Sequence, residues 1–204
     1  MIRHHPSDTT LMAHAAGHLP ALHARVLAVH LTACPHCRDE LRMMEEIGGA
    51  LLATMPPAPL RADALERSLA RLDDAMPIAA PRAAATTLGS LATGRWWWLG
   101  PGIRLMPLVR RDASDTRLDL IRVAPGMALP GHGHNGPEIA CILQGGYADE
   151  TGHYNTFDIA EGDPSLQHTP VALPGPECIC LIATTGRLRA HTWLARLVQP
   201  LVGV

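Results

Sequence analysis

Two groups of residues in this chain have metal-binding side chains at metal-binding spacing. The first is His30-x3-Cys34-x2-Cys37. On a helix, His30 and Cys34 lie one turn apart on one face, and Cys37 follows one turn later. Two thiolates and an imidazole supply three of the four donors of a tetrahedral structural zinc. The fourth must come from elsewhere in the chain, and His4 and His5 are the candidates. The second group is Gly126-x5-His132-x-His134-x3-Glu138-x6-Gly145, with His168 further on. On a strand, residues i and i+2 face the same way, so His132 and His134 can bind one ion. Gly133 and Gly136 permit a bend that brings Glu138 to them, and His168 offers a third imidazole. Such a mixed nitrogen and oxygen set suits zinc, manganese, iron or nickel.

The two groups sit in segments of different texture. Residues 7–76 read as four helices. Ser7 or Asp8 caps the first, and Gly17 to Pro20 end it. The second carries Leu22, Val26, Leu27, Val29 and His30 as far as Ala33. Pro35 stands in the first turn of a third, where its missing N–H does no harm. Pro56 and Pro57 stop that helix, and a fourth runs from Arg61 to Ala75 with Leu65, Leu69 and Leu72 at helical spacing. So small a bundle has a thin core, and a metal would staple it. Residues 77–95, rich in Pro, Ala, Thr and Gly, read as a linker. From Trp96 on, short strands alternate with Gly and Pro turns, among them Arg117–Val123, Glu138–Leu143 and Cys178–Ile182. That pattern predicts a β-sandwich or small barrel.

Composition narrows the function. The 204 residues are 47% hydrophobic and 18% charged, which excludes a disordered chain. All 17 basic residues are Arg, the formal charge is -2 and no basic stripe is present, which argues against direct nucleic-acid binding. No apolar run is long enough for a membrane span, and the N-terminus lacks a signal-peptide core. A cytoplasmic location, with reduced thiols, is expected. Five cysteines, an odd number, suit metal ligands and free thiols better than a disulfide framework.

The stretch from Gly126 to Gly145 resembles the first metal motif of the cupin family, and Gly162 to His168 resembles a shortened second motif. The N-terminal part resembles the zinc-binding anti-sigma domains. Together they resemble the ChrR-type anti-sigma factors. The shared stretches include His4-His5-x-Ser7-Asp8, Cys34-x2-Cys37, Asp149-Glu150-Thr151, His168-Thr169-Pro170 and Cys178-Ile-Cys180. The resemblance implies a multidomain α and β chain: a small zinc-binding helical bundle over 1–76, the linker, and a double-stranded β-helix jelly roll over 96–204. It implies zinc on His5, His30, Cys34 and Cys37, with His5 as the fourth ligand. It implies a divalent metal, zinc foremost, on His132, His134, Glu138 and His168. The implied partner is an extracytoplasmic-function sigma factor, held away from RNA polymerase. The family is linked to responses to singlet oxygen and related oxidants, with the cupin as the responding part, open to a small-molecule ligand.

Blander readings stand beside these. Cys34 and Cys37 as buried hydrophobes is the weaker reading, since His30 shares their face. His36 is expected to be solvated, His14, His18 and His23 to lie on the surface, and His153 and His191 to be structural. Cys141, Cys178 and Cys180 read first as core. The sharper reading makes Cys178 and Cys180 a thiol pair near the metal, open to oxidation. Trp96, Trp97 and Trp98 are expected to pack the rim of the first sheet, with an exposed patch for the partner or the other domain as the alternative. The alternative function is a cupin enzyme, a dioxygenase or isomerase with an added interaction domain. No further acid/base pair is recognisable near the histidines to support it.

Overall fold

The computed structural model describes residues 1–73 and 94–190. Most of the expected linker, His191 and the end of the chain lie outside the described residues.

Four helices precede the strands: α1 (Asp8–Ala15), α2 (Ala21–Ala33), α3 (Pro35–Thr54) and α4 (Ala64–Asp73). The Ser7 side chain accepts a hydrogen bond from the Thr10 N–H and so caps α1. His30, Cys34 and Cys37 do not share one helix. Pro35 disfavours the helical conformation for the residue before it, and Cys34 is extended, with φ -103° and ψ 101°. α2 therefore ends and α3 begins at the cysteine, with Pro35 at its first helical position.

The strands are β1 (Trp97–Gly100), β2 (Ile103–Val109), β3 (Thr116–Val123), β4 (His132–His134), β5 (Glu138–Gln144) and β6 (Gly146–Asp149). They continue as β7 (Gly152–Asn155), β8 (Ile159–Gly162), β9 (Gln167–His168), β10 (Val171–Ala172), β11 (Cys178–Thr185) and β12 (Leu188–Ala190). A six-stranded sheet runs in the order β1-β2-β3-β11-β5-β8. Two three-stranded sheets, β10-β6-β7 and β12-β4-β9, accompany it. Every pairing is antiparallel, as a jelly roll requires.

The six-stranded sheet is buried on both faces. One face carries Ile121, Val123, Ile142, Cys178 and Cys180, packed with Tyr147, Tyr154 and Ala172 of the second sheet. The other carries Leu118, Leu120, Ile139, Cys141 and Leu181, packed with Leu22, Val26 and Val29 of α2. Alternate residues of β3, β5 and β11 thus enter two different cores, which is why those strands read as near-continuous apolar runs. Cys141 is core, on the α2 face. α2 thus spends its apolar face on the sheet. Among the described residues the helices keep one small buried cluster of their own, formed by Leu11, Leu27, Cys34 and Cys37.

Two expectations need correction. His23 is not on the surface: it is 1% exposed, and its Nε2 donates to the Pro137 carbonyl at 3.3 Å. Its helix faces the sheet, which a reading of the bundle in isolation does not anticipate. Of the three tryptophans, Trp96 packs against the α2 core, but Trp97 and Trp98 stand 49% and 69% exposed on the edge strand β1.

A shared core predicts shared unfolding. Leu181→Ala is expected to cost about 2–5 kcal/mol. Helical circular dichroism and tryptophan fluorescence should lose the native signal at the same urea concentration, in this variant and in the unaltered chain. Separate midpoints would show that α2 and the sheet unfold independently.

Candidate metal centres

The helix break at Cys34 assembles the first centre. Cys34 sits at the N-terminus of α3, with its sulfur 3.5 Å from the Cys37 N–H. Cys37 lies one turn on, and His30 comes from the last turn of α2. The N-terminal segment brings His5 across: its Nδ1 lies 3.4 Å from Cys34 Sγ and 3.2 Å from Cys37 Sγ. His30 Nε2 lies 3.2 Å from Cys37 Sγ. All four donor atoms fall within 4.8 Å of one another. His4 is not part of this centre; its ring packs on Tyr154 with 4.3 Å between centroids. His36 is exposed.

The chemistry of this centre suits a cation. Burial, and then the neighbouring Cys34, pushes the Cys37 thiol up to about 12. Burial also lowers the His30 pKa, so its imidazole is neutral at pH 7. His30 Nδ1 donates to the Phe157 carbonyl at 2.7 Å, which leaves Nε2 with a free lone pair aimed at the sulfurs. A divalent ion would reverse the penalty on the thiolates, and two thiolates with two imidazoles form a zinc-type donor set.

The second centre lies between β4 and β9. Their pairing places His132 directly opposite His168, and His134 follows two residues along β4. His168 Nε2 lies 3.2 Å from His132 Nε2 and 3.3 Å from His134 Nε2. Two of the other ring nitrogens are held from behind, while the buried His134 Nδ1 has no hydrogen-bond partner among the described residues. His168 Nδ1 donates to the Asp149 carboxylate at 2.7 Å, and His132 Nδ1 to the Pro130 carbonyl at 3.0 Å. Both rings therefore turn a basic Nε2 toward the common point, the outer-layer arrangement that metal-binding histidines use. Gly162 makes room: a Cβ there would stand 3.2 Å from His134 Nε2.

Glu138 stands beside this group rather than in it. Its carboxylate accepts a 2.6 Å hydrogen bond from Thr184 and lies 3.5 Å from His134 Nδ1, on the far side of that ring. Burial raises its pKa, but the His134 and Thr184 contacts outweigh burial and hold it below the usual value. The side chain does line the same small cavity as His132 and His168, a space of about 50 Å³. Cys178 and Cys180 line that cavity too, with sulfurs 3.6 Å apart. His153 is exposed on β7 and joins neither centre.

Two buried carboxylates escaped the sequence reading. Asp149 orients His168 while its other oxygen receives the Thr151 N–H at 2.8 Å. Asp158, fully buried, receives N–H groups from the N-terminal segment. The Asp-x-Thr turn at Asp149 was the available signal. Nothing local marks Asp158.

Comparison with known proteins fits this geometry. A family model described as the ChrR cupin-like domain matches residues 85–187. The anti-sigma-E factor ChrR of Cereibacter sphaeroides is 38% identical over 98% of this chain and 97% of that protein. The chain belongs to the ChrR family of anti-sigma factors. A crystal structure of Rhodobacter sphaeroides SigE in complex with the anti-sigma ChrR matches with a TM-score of 0.78 and 39% identity. It covers 90% of this chain and 99% of that one. The likeness to ChrR therefore extends over the helices as well as the cupin-like part.

Two outcomes are expected. First, burial lowers the pKa of His23, His30 and His132 below the ordinary histidine value. Unfolding restores that value of about 6.5, so the unfolded chain takes up protons that the folded chain refuses. The metal-free chain should lose stability as pH falls below about 6.5, and His23→Leu should make the loss shallower, as urea midpoints across pH will show. Second, Asp149→Asn removes the charge behind His168 and should weaken metal binding at the His132, His134 and His168 centre by about tenfold or more in chelator competition.

Proposed function

We propose that this chain sequesters an extracytoplasmic-function sigma factor through α3 and α4. The observation that carries the reading is the apolar surface those helices leave in water. Ile47, Leu51, Leu52 and Met55 of α3 and its C-cap are 57%, 65%, 70% and 64% exposed. Leu65, Leu69 and Leu72 of α4 are 71%, 54% and 78% exposed. In α4 they recur at i, i+4 and i+7, one stripe on an amphipathic helix. A chain that works alone rarely leaves so much aliphatic surface uncovered. Comparison within the family points the same way, because one solved relative is in complex with the sigma factor SigE.

In this reading zinc on His5, His30, Cys34 and Cys37 fixes α1, α2 and the start of α3 so that the apolar arms project together. A divalent metal on His132, His134 and His168, with Glu138 as the adjoining carboxylate, occupies the cupin. Zinc suits that donor set, and manganese, iron or nickel fit it as well. The cupin is the responding module for an oxidant of the singlet oxygen type. Its cavity holds a few water-sized molecules, which suits a small oxidant better than an enzyme substrate. The buried sulfurs of Cys178 and Cys180 face that cavity and are oxidisable. No helix of the described residues is long and apolar enough to cross a membrane, in keeping with a cytoplasmic regulator. Boundaries of 1–76 and 96–204 divide the binding and responding parts.

Co-expression with a sigma factor of this class tests the reading. Leu69→Asp, on a solvent-facing position, should leave the chain folded and abolish co-purification. Cys34→Ser should abolish it by loosening the helices. His132→Ala should keep the complex and blunt its release under oxidant in a transcriptional reporter. Co-purification that survives both Leu69→Asp and Cys34→Ser would sink the proposal.

A further inference from the structure

The first metal centre is not completed by the helices alone. His30 comes from α2 and the two cysteines from α3, but His5 belongs to an N-terminal segment laid along the cupin. The Asp158 carboxylate holds that segment: one oxygen accepts the N–H of Arg3 at 2.7 Å and that of His4 at 3.1 Å. The other oxygen accepts the Asn155 N–H at 2.8 Å and so ties the carboxylate into its own turn. The next residue continues the clamp, since the Ile159 N–H donates to the His4 carbonyl at 3.0 Å. Ser7, two residues beyond His5, donates its N–H to Glu161 at 3.2 Å. His5 is thus fixed by main-chain bonds on both sides, and each of them ends on the cupin.

The same turn also reaches His30. Phe157 adopts a left-handed conformation, φ 70°, that side chains with a Cβ avoid. In that conformation its carbonyl accepts the proton of His30 Nδ1 at 2.7 Å. Asp158 is fully buried, and a buried carboxylate with three N–H donors fixes geometry strongly. Residues 157–159 therefore orient two of the four donors of a centre from which they are remote in sequence.

We infer that Asp158 is a positioning residue for the first metal centre, so that the cupin sets how tightly the helices hold their metal. This rests on the reading of His5, His30, Cys34 and Cys37 as a metal site. It adds that the site is completed by the turn between β7 and β8. Displacement of that turn slackens His5 and His30 together. The two remaining donors, Cys34 and Cys37, are too few for a tetrahedral site.

Cobalt(II) alone is the probe, in the full chain. Cys178 and Cys180 line the cavity beside the histidine centre, so both are replaced by Ala in every chain compared; thiolate-to-cobalt charge-transfer absorption then reports only the Cys34 and Cys37 centre. Two substitutions load the clamp differently. Asp158→Asn leaves one acceptor oxygen where two are used, so either Asn155 or the Arg3 and His4 pair loses its partner. Arg3→Pro removes one N–H from the clamp and alters no cupin residue. After addition of excess chelator, Asp158→Asn should lose the thiolate band about tenfold faster than the unaltered chain. Arg3→Pro should lose it about three- to tenfold faster, with the urea midpoint of the sheet unchanged. Release from Arg3→Pro within about twofold of the unaltered chain overturns the inference, whatever Asp158→Asn does. Absence of the band from the cobalt-loaded unaltered chain overturns the metal reading itself, and the inference with it.

Discussion

The six-stranded sheet must bury both faces, and most of the architecture follows from that requirement. β11 lies between β3 and β5, and its residues alternate between two cores. Leu181 and Ala183 meet α2, while Cys178 and Cys180 meet the second sheet and the cavity. A jelly roll can cover its outer face with solvent-tolerant side chains. This one covers it with a helix, and α2 carries His30 at its far end. At about 25 cal/mol per Å² of apolar surface, this contact is worth far more than any single hydrogen bond between the two parts. Burial sets the helix on the sheet. Hydrogen bonds from residues 157–161 then settle the finer geometry.

Both candidate metal centres pose the same electrostatic problem. Donors with free lone pairs have to face one another, most of them out of contact with water. Neutral imidazoles meet this requirement at little cost, and burial reinforces it by lowering the pKa of His30 and His132. Orientation comes from behind the rings. The Phe157 carbonyl does this for His30, the Pro130 carbonyl for His132 and the Asp149 carboxylate for His168. The Cys37 thiol differs, because burial holds it protonated until a cation arrives. A metal at the first centre would therefore have to reverse a charge penalty that the imidazoles of the second do not carry.

What was legible in the sequence follows from distance along the chain. His30, Cys34 and Cys37 stand close together, and so do His132 and His134; spacing alone exposes such sets. The helices and the main strands were legible for the same reason, since Pro35, Pro56 and the Gly-Pro turns punctuate them locally. The shared core of α2 and the sheet was not, because an amphipathic helix does not state what it will cover. His23 reads as a surface residue until the sheet is placed against it. Asp158 is invisible as an orienting group, because it acts on residues far away in the chain, and the turn that marks Asp149 does not name His168 as its target. Glu138 shows the converse. Its spacing announces a ligand, but its side chain turns to Thr184 and the back of His134.

The exposed helices and the buried sheet impose opposite demands on one chain. α3 is 20 residues long, about 30 Å, yet among its described contacts only the first turns reach the cluster of Leu11, Leu27 and the cysteines. Beyond Met44 its large apolar side chains, Ile47, Leu51 and Leu52, stand more than half exposed, and α4 presents three leucines in the same condition. An isolated helix as short as α4, with 10 residues, is marginal in water, and exposed apolar turns add little to α3, so their order is supplied from the fixed end or from a partner. The fixed end is the His5, His30, Cys34 and Cys37 cluster, where Cys34 ends one helix and begins the next. Loosening that centre would free the angle between α2 and α3 and leave the apolar arms without a common orientation. Affinity for a partner that needs both arms at once falls steeply when their relative geometry is lost. On the proposed reading, control over partner binding would be exercised at the four clustered donors without any change on the apolar arms.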